Sequence, residues 1–143
     1  MTVDSIMSAK GRDVVTVPRN QTLCEAARLM AERRIGAVVV SDAGDGVDGI
    51  LSERDIVRAV ARSGAKVLDE PVQAHMTRDV VTCTGRASIT DMMELMTERR
   101  FRHIPVVENG RLRGMVSIGD IVKQRVAEVE AESQALREYI TAG

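Results

Sequence analysis

The sequence predicts a mixed α/β (α+β) fold: two β-α-β-β-α units packed about a pseudo-twofold axis, small sheets covered by helices, and a long C-terminal helix. Three observations predict it. Gly49-Ile50-Leu51-Ser52-Glu53-Arg54-Asp55-Ile56-Val57 returns as Gly114-Met115-Val116-Ser117-Ile118-Gly119-Asp120-Ile121-Val122, each a glycine, a short apolar run, Ser-x-x-Asp and then helical spacing. Arg12-Asp13-Val14-Val15-Thr16 returns letter for letter as Arg78-Asp79-Val80-Val81-Thr82, about 66 residues later. The hydrophobic fraction, 44%, is almost wholly aliphatic, with no Trp, one Phe and one Tyr, which suits Val-rich sheets under helices. A unit of this size cannot bury its sheet alone, so the two copies are expected to pack together.

The first copy reads in order as follows. Residues 1–10 are an apolar lead-in through Val3, Ile6 and Met7. Residues 12–17 form a short strand stopped by Pro18. Thr22, with Glu25 three residues on, opens a helix whose inner face is Leu23, Ala26, Ala27, Met30 and Ala31. Residues 35–40 are a continuous apolar strand of the kind buried on both faces. Residues 41–48 are a polar, Gly-rich turn. Its literal G-x-G-x-x-G over residues 44–49 has a strand after it rather than a helix, so it reads as a hairpin turn. Counted from Asp42, a calcium loop would need glycine where Val47 stands. Ile50-Leu51 is the next strand, and a helix from Asp55 to Arg62 turns Ile56, Val57 and Val60 inward before Ser63-Gly64 ends it.

Residues 65–74 are a connector containing Pro71. The second copy repeats the order: a strand over residues 78–82, then a helix capped by Ser88 with Ile89, Met92, Met93 and Met96 inward. A buried strand over residues 104–107, a hairpin turn at Glu108-Asn109-Gly110-Arg111 and a strand over residues 113–116 follow. A helix runs from Asp120 to about Ile140 with Val122, Val126, Val129, Leu136 and Ile140 on one apolar face. The expected division is residues 1–64 and 75–126 for the two motifs, 65–74 for the connector and 127–143 for a helical tail. The tail carries Glu128, Glu130 and Glu132 on its polar side, and is expected either to pack across its own module or to contact a partner.

Each Ser-x-x-Asp has two compatible readings. One is a capping box, with Ser52 and Ser117 as N-caps and Asp55 and Asp120 at the third helical position. The other is a ligand site, because a helix N-terminus offers unpaired N–H groups and partial positive charge to a phosphate. An ionised carboxylate there can accept two hydroxyl donors.

This element order, with G-h-h-[ST]-x-x-D closing both copies, resembles the cystathionine-β-synthase (CBS) domain pair, also called a Bateman module, from about Asp4 to Val126. The resemblance implies a non-catalytic sensor that binds adenosine-containing ligands (AMP, ADP, ATP, NAD(H) or S-adenosylmethionine) in clefts between the copies. By motif position, Val15, Thr16, Ile35, Gly36 and Ala37 would join Met115, Ser117 and Asp120 in one cleft. Val81, Thr82 and Phe101 would join Ile50, Ser52 and Asp55 in the other. Arg102 and His103 stand where related nucleotide-binding pairs often carry basic residues, and Gly36-Ala37 stand there in the first copy. Arg54 in the first motif is replaced by Gly119 in the second, so the clefts should differ. The resemblance also implies a homodimer formed through the motif helices, with Val57, Val60, Val122 and Val126 as candidate contacts. A separate effector protein would receive the signal. The alternative is a structural interaction module whose clefts are degenerate.

Other function classes find little support. A net charge of −1 gives no basic field for nucleic acid, and near-absence of aromatics disfavours base stacking. No zinc spacing or nucleophile elbow occurs, and His75 and His103 are the only histidines, which argues against an enzyme. No apolar run reaches membrane-spanning length and no signal-like core precedes the repeat, so a cytoplasmic protein with reduced Cys24 and Cys83 is expected.

Overall fold

In the computed structural model, which describes residues 1–11 and 13–142, the sequence repeat becomes two hydrophobic cores that exchange their lead-in segments. Arg12, where the first strand was expected to begin, and Gly143 lie outside the described residues. The first copy builds a sheet of order β1-β2-β3 from β1 (Thr16–Val17), β2 (Ala37–Val40) and β3 (Gly49–Ser52). Strand β1 runs parallel to β2, and β3 antiparallel to it. All four residues of β2 are buried, as an unbroken Ala-Val-Val-Val run requires. Helices α2 (Leu23–Arg33) and α3 (Glu53–Ser63) cover this sheet. The second copy pairs β4 (His103–Glu108) with β5 (Arg111–Ser117) under α4 (Ile89–Arg99) and α5 (Ile118–Ala142).

Local chemistry sets the element ends. Thr22 Oγ1 accepts the Glu25 N–H at 3.2 Å and Ser88 Oγ the Asp91 N–H at 3.0 Å, so both predicted N-caps form. Asn109 and Gly110, at φ of 53° and 75°, make the two-residue turn between β4 and β5. Helices α2 and α4 end on Arg34 and Arg100, which adopt the left-handed conformation at φ of 55° and 61°. Glycine is the usual occupant of that position.

The exchange is reciprocal. Helix α1 (Val3–Lys10) opens the first copy in sequence, yet Val3, Ile6 and Met7 are buried with Ile89, Ile104, Val116 and Ile121 of the second. Val67, Val72 and Met76 precede the rest of the second copy and are buried with Leu23, Met30, Val38 and Leu51 of the first. Thr77 and Ile50 exchange both backbone hydrogen bonds, at 2.9 and 3.0 Å. Gly49 permits this approach: a Cβ there would lie 2.5 Å from Met76 Sδ and 2.9 Å from the Thr77 carbonyl oxygen.

Three expectations are corrected. Residues 78–82 do not form a strand; a single bridge, Cys83 to Val106, stands in its place. In the first copy the Val39 N–H donates to Val15 O at 3.1 Å. The matching residue of the second copy is Pro105, which has no N–H to give, so the pairing shrinks to the Cys83 bonds with Pro105 and Val107. On α3, Val57 and Val60 face outward at 67% and 36% exposure, and only Ala59 is buried. The sheet takes the Ile56–Ala59 edge of the helix and leaves the neighbouring stripe to solvent. Helix α5 packs only at its start: Ile121 is buried, and residues 129–142 are all exposed. The tail therefore does not lie across its own module.

Because Met7 completes the second core, Met7→Ala should destabilise the chain by about 2–5 kcal/mol in urea denaturation. Hydrogen exchange should report faster opening of β4 and β5 than of β2. Faster opening confined to the first sheet would contradict the exchanged packing.

Candidate functional site

The first motif lies where β3 runs into α3. Ser52 Oγ accepts the Asp55 N–H at 3.3 Å, and the Ser52 N–H donates to Asp55 Oδ2 at 2.9 Å. The capping box thus forms, and it fixes the Asp55 carboxylate at the mouth of the first turn. Above it opens a cavity of about 310 Å³ walled by both copies. Ile50, Ser52 and Asp55 line it from the first copy, and Val80, Val81 and Phe101 supply an apolar wall from the second.

The rim is strongly charged. Arg54 and Arg58 reach it from α3, and Arg99, Arg100 and Arg102 from the end of α4 and the loop beyond. These five arginines face three carboxylates, Glu53, Asp55 and Asp79. Arg54 Nη1 donates to the Arg100 carbonyl at 3.4 Å, tying the motif helix to the left-handed end of α4. His103 also lines the cavity. Burial holds its pKa below the usual histidine value, with Glu53 and Asp120 opposing that only in part, so the ring is neutral at pH 7.

The second motif keeps the same cap and has a different surrounding. The Ser117 N–H donates to Asp120 Oδ2 at 2.9 Å, and the Asp120 N–H to Ser117 Oγ at 3.1 Å. Lys10, the last residue of α1, donates from Nζ to Asp120 Oδ2 at 2.7 Å and to the Met115 carbonyl at 3.0 Å. Partial burial pushes the Asp120 carboxyl up, but the Lys10 and Ser117 hydrogen bonds outweigh it and leave the pKa below the usual carboxylate value. Gly119 is exposed where the first motif has Arg54, so no guanidinium enters from that position.

The expected residues divide unevenly between these places. Ile50, Ser52, Arg54, Asp55, Val81, Phe101, Arg102 and His103 line one cavity. Thr82 is exposed beside it and is not part of its wall. Gly36 was expected with Asp120 but lines the Asp55 cavity, because the antiparallel register sets Ala37 opposite Ser52. Ile35 lines a shallower groove between α2 and α3, with Met30, Ile56 and Val57. Ala37 is buried, Val15 packs against the first core, and Thr16 pairs with Val39. Met115, Ser117 and Asp120 do gather, around Lys10. Sequence reasoning missed Lys10, since no spacing rule relates residue 10 to residue 120. In sequence Arg33, Arg34, Arg99 and Arg100 read as solvated helix ends, with Arg99 or Arg100 able to reach a ligand phosphate, and Arg99 and Arg100 line the cavity. Among the described residues no acidic, His or Cys cluster could hold a metal, and no helix is long and apolar enough to cross a membrane.

Comparison with known proteins gives a consistent picture. The family profile described as CBS domain matches residues 3–62 and again 72–127. A CBS-domain containing protein from Agrobacterium tumefaciens of known crystal structure is 50% identical, with a TM-score of 0.85 over 87% of this chain and 99% of that one. The plant protein CBSX3, a mitochondrial CBS domain-containing protein of Arabidopsis thaliana, is 33% identical over 99% of this chain and 73% of its own length. An uncharacterized 17.7 kDa protein of Acidianus ambivalens is 40% identical over 77% of this chain, which spans 66% of that relative. The CBS domain pair of protein MJ0100, solved in complex with 5′-methylthioadenosine and S-adenosyl-L-methionine, shares the fold at 23% identity and a TM-score of 0.77.

The Lys10–Asp120 pair should leave a signature in pH. Asp120 has a folded pKa below its unfolded value, so the pair's stabilisation is complete above about pH 4 and is lost as pH falls through the folded pKa. Lys10→Met should therefore be less stable than the parent by about 0.5–1 kcal/mol at neutral pH. Chemical denaturation should show that gap narrowing as the pH is lowered toward about 3. A gap of constant size would mean that the ion pair is not its source.

Proposed function

The chain belongs to the CBS-domain family, and on that premise we propose that it is a non-catalytic sensor binding an adenine nucleotide in the cavity above Ser52 and Asp55. The observation that carries this is the pairing of one carboxylate at a helix start with five arginines on the same cavity rim. Asp55 is suited to accept ribose hydroxyls, the apolar wall of Val80, Val81 and Phe101 to hold a base, and the arginines to hold phosphates. That the related fold of MJ0100 is described with adenosine-containing ligands supports the class. The excess of guanidinium over carboxylate favours ADP or ATP, with AMP and NAD(H) next. S-adenosylmethionine, which carries a sulfonium cation, suits this rim least.

The Asp120 cleft reads differently. Lys10 already supplies a cation to the carboxylate and a donor to Met115 O, so a ligand there must first displace it. One nucleotide per chain is the expected stoichiometry, and the structural-module reading applies to this second cleft alone.

Calorimetry with AMP, ADP, ATP, NADH and S-adenosylmethionine in turn tests this. ATP or ADP should bind at one site per chain and raise the melting temperature by mass action. Asp55→Asn, which keeps a cap acceptor, should weaken binding by about tenfold or more, the worth of a charged hydrogen bond. Lys10→Met should leave the first site intact and expose a second, weaker one. If none of the five ligands binds at millimolar concentration, the clefts are degenerate and the protein is an interaction module.

The exposed Val57, Val60, Val122 and Val126 support a homodimer through α3 and α5, with nucleotide-dependent contact to a separate effector protein. A cytoplasmic location without a membrane or nucleic-acid partner completes the proposal. Val57→Asp places a charge in the proposed interface and should shift the protein toward monomer in sedimentation velocity without lowering its melting temperature by more than a few degrees. An unchanged mass would remove α3 from the interface.

A further inference from the structure

Helix α5 outruns the body from which it springs. Residues 129–142 are all exposed, about 21 Å of helix at 1.5 Å per residue, and a stretch that short is marginal in water without a partner. Its apolar residues follow a heptad. Val122, Val126, Val129, Leu136 and Ile140, with Ser133 filling the one gap, advance in alternating steps of four and three. This is the a/d pattern of a coiled-coil seam, with Val126, Ser133 and Ile140 at a and Val122, Val129 and Leu136 at d.

The seam points away from the protein. Ile121 is buried, Gln124 reaches Met1, and Glu128 lies 4.0 Å from the Met1 amino group. These residues occupy the c and f positions, on the face opposite a and d at 100° per residue. The seam itself stays open: Val129 is 48% exposed and Ile140 is 68%.

The flanking charges select the occupant. In a parallel, in-register pair each g residue faces the e residue of the next heptad on the other helix. Arg125 at g then meets Glu130 of the partner subunit, and Glu132 at g meets Arg137 of the partner subunit. Symmetry makes each contact twice. Reversing one helix to overlap the same six seam residues does the opposite: it sets Glu130 beside Glu130, Glu132 beside Glu132, and Lys123 beside Arg137. We propose that α5 pairs with α5 of a second copy as a parallel, in-register two-stranded coiled coil. The proposal extends the reading of α5 as a subunit contact and is independent of any ligand.

The test uses the full chain with Cys24→Ser, leaving only the buried Cys83. Val129→Cys at a d position should form a disulfide-linked dimer under mild oxidation, read on a non-reducing gel. Adding Arg125→Glu and Arg137→Glu makes both members of each g–e pair acidic and should abolish that self-crosslink. Mixing this chain with one carrying Val129→Cys, Glu130→Arg and Glu132→Arg should restore crosslinking between the two. A Val129→Cys protein that sediments as a dimer but forms no disulfide link would overturn tail pairing while leaving the α3 interface standing. Linkage of Val122→Cys to Ile140→Cys chains would overturn the parallel orientation. A self-crosslink that survives the acidic flank would overturn the part assigned to charge.

Discussion

The exchange of lead-in segments between the two cores is the constraint on which the rest of the structure depends. Neither copy closes its own hydrophobic interior. Met7 and its neighbours seal the second core, and Met76 with Val72 seals the first. The backbone ladder of Ile50 with Thr77 then draws residues 77–81 across the end of β3, and this crossing gives the Asp55 cavity its far wall. The site is a product of the exchange: the carboxylate comes from one copy and most of the wall from the other. Two cores so locked are expected to unfold as one cooperative unit.

Much of the fold was legible because the repeat acts as an internal control. A single Ser-x-x-Asp is a helix cap in most contexts, and it remains one here at both Ser52 and Ser117. Its recurrence at equal spacing is what marked the two strand-to-helix junctions, one of which lines the cavity. The periodic patterns of α2 and α4, the unbroken β2 and the Asn109-Gly110 turn also followed directly from local chemistry. The errors came from effects that the repeat conceals. Pro105 breaks a ladder that identical Arg-Asp-Val-Val-Thr segments promise. The stripe on α3 is wider than the sheet it meets, so Val57 looks like core in sequence and faces outward in space.

The Asp55 side of the candidate site was legible across both copies, Val81 and Phe101 included, and the surroundings of Asp120 were not. Eight expected residues line one cavity. Gly36 joins them because antiparallel pairing puts the start of β2 beside the end of β3. Lys10 had no motif to announce it. Its ammonium finds Asp120 only because α1 has crossed to the second core, and one lysine there makes two similar motifs chemically unlike. In one, a carboxylate faces a cavity rimmed with guanidinium groups; in the other, the carboxylate is already satisfied from within the chain.

The left-handed arginine at the end of α4 carries a consequence of its own. Arg100 sits at φ of 61°, a backbone state in which glycine avoids the steric cost of a side chain. The folded chain bears that cost of about 1 kcal/mol whether or not anything occupies the cavity. In return the turn sets a guanidinium at the rim, and the Arg100 carbonyl accepts the hydrogen bond from Arg54. Part of the ordering that an anion would otherwise have to impose is thus already complete in the folded chain. The position therefore sets tolerance to heat against readiness to bind: a glycine there would relax the backbone and leave the rim short of one preset charge.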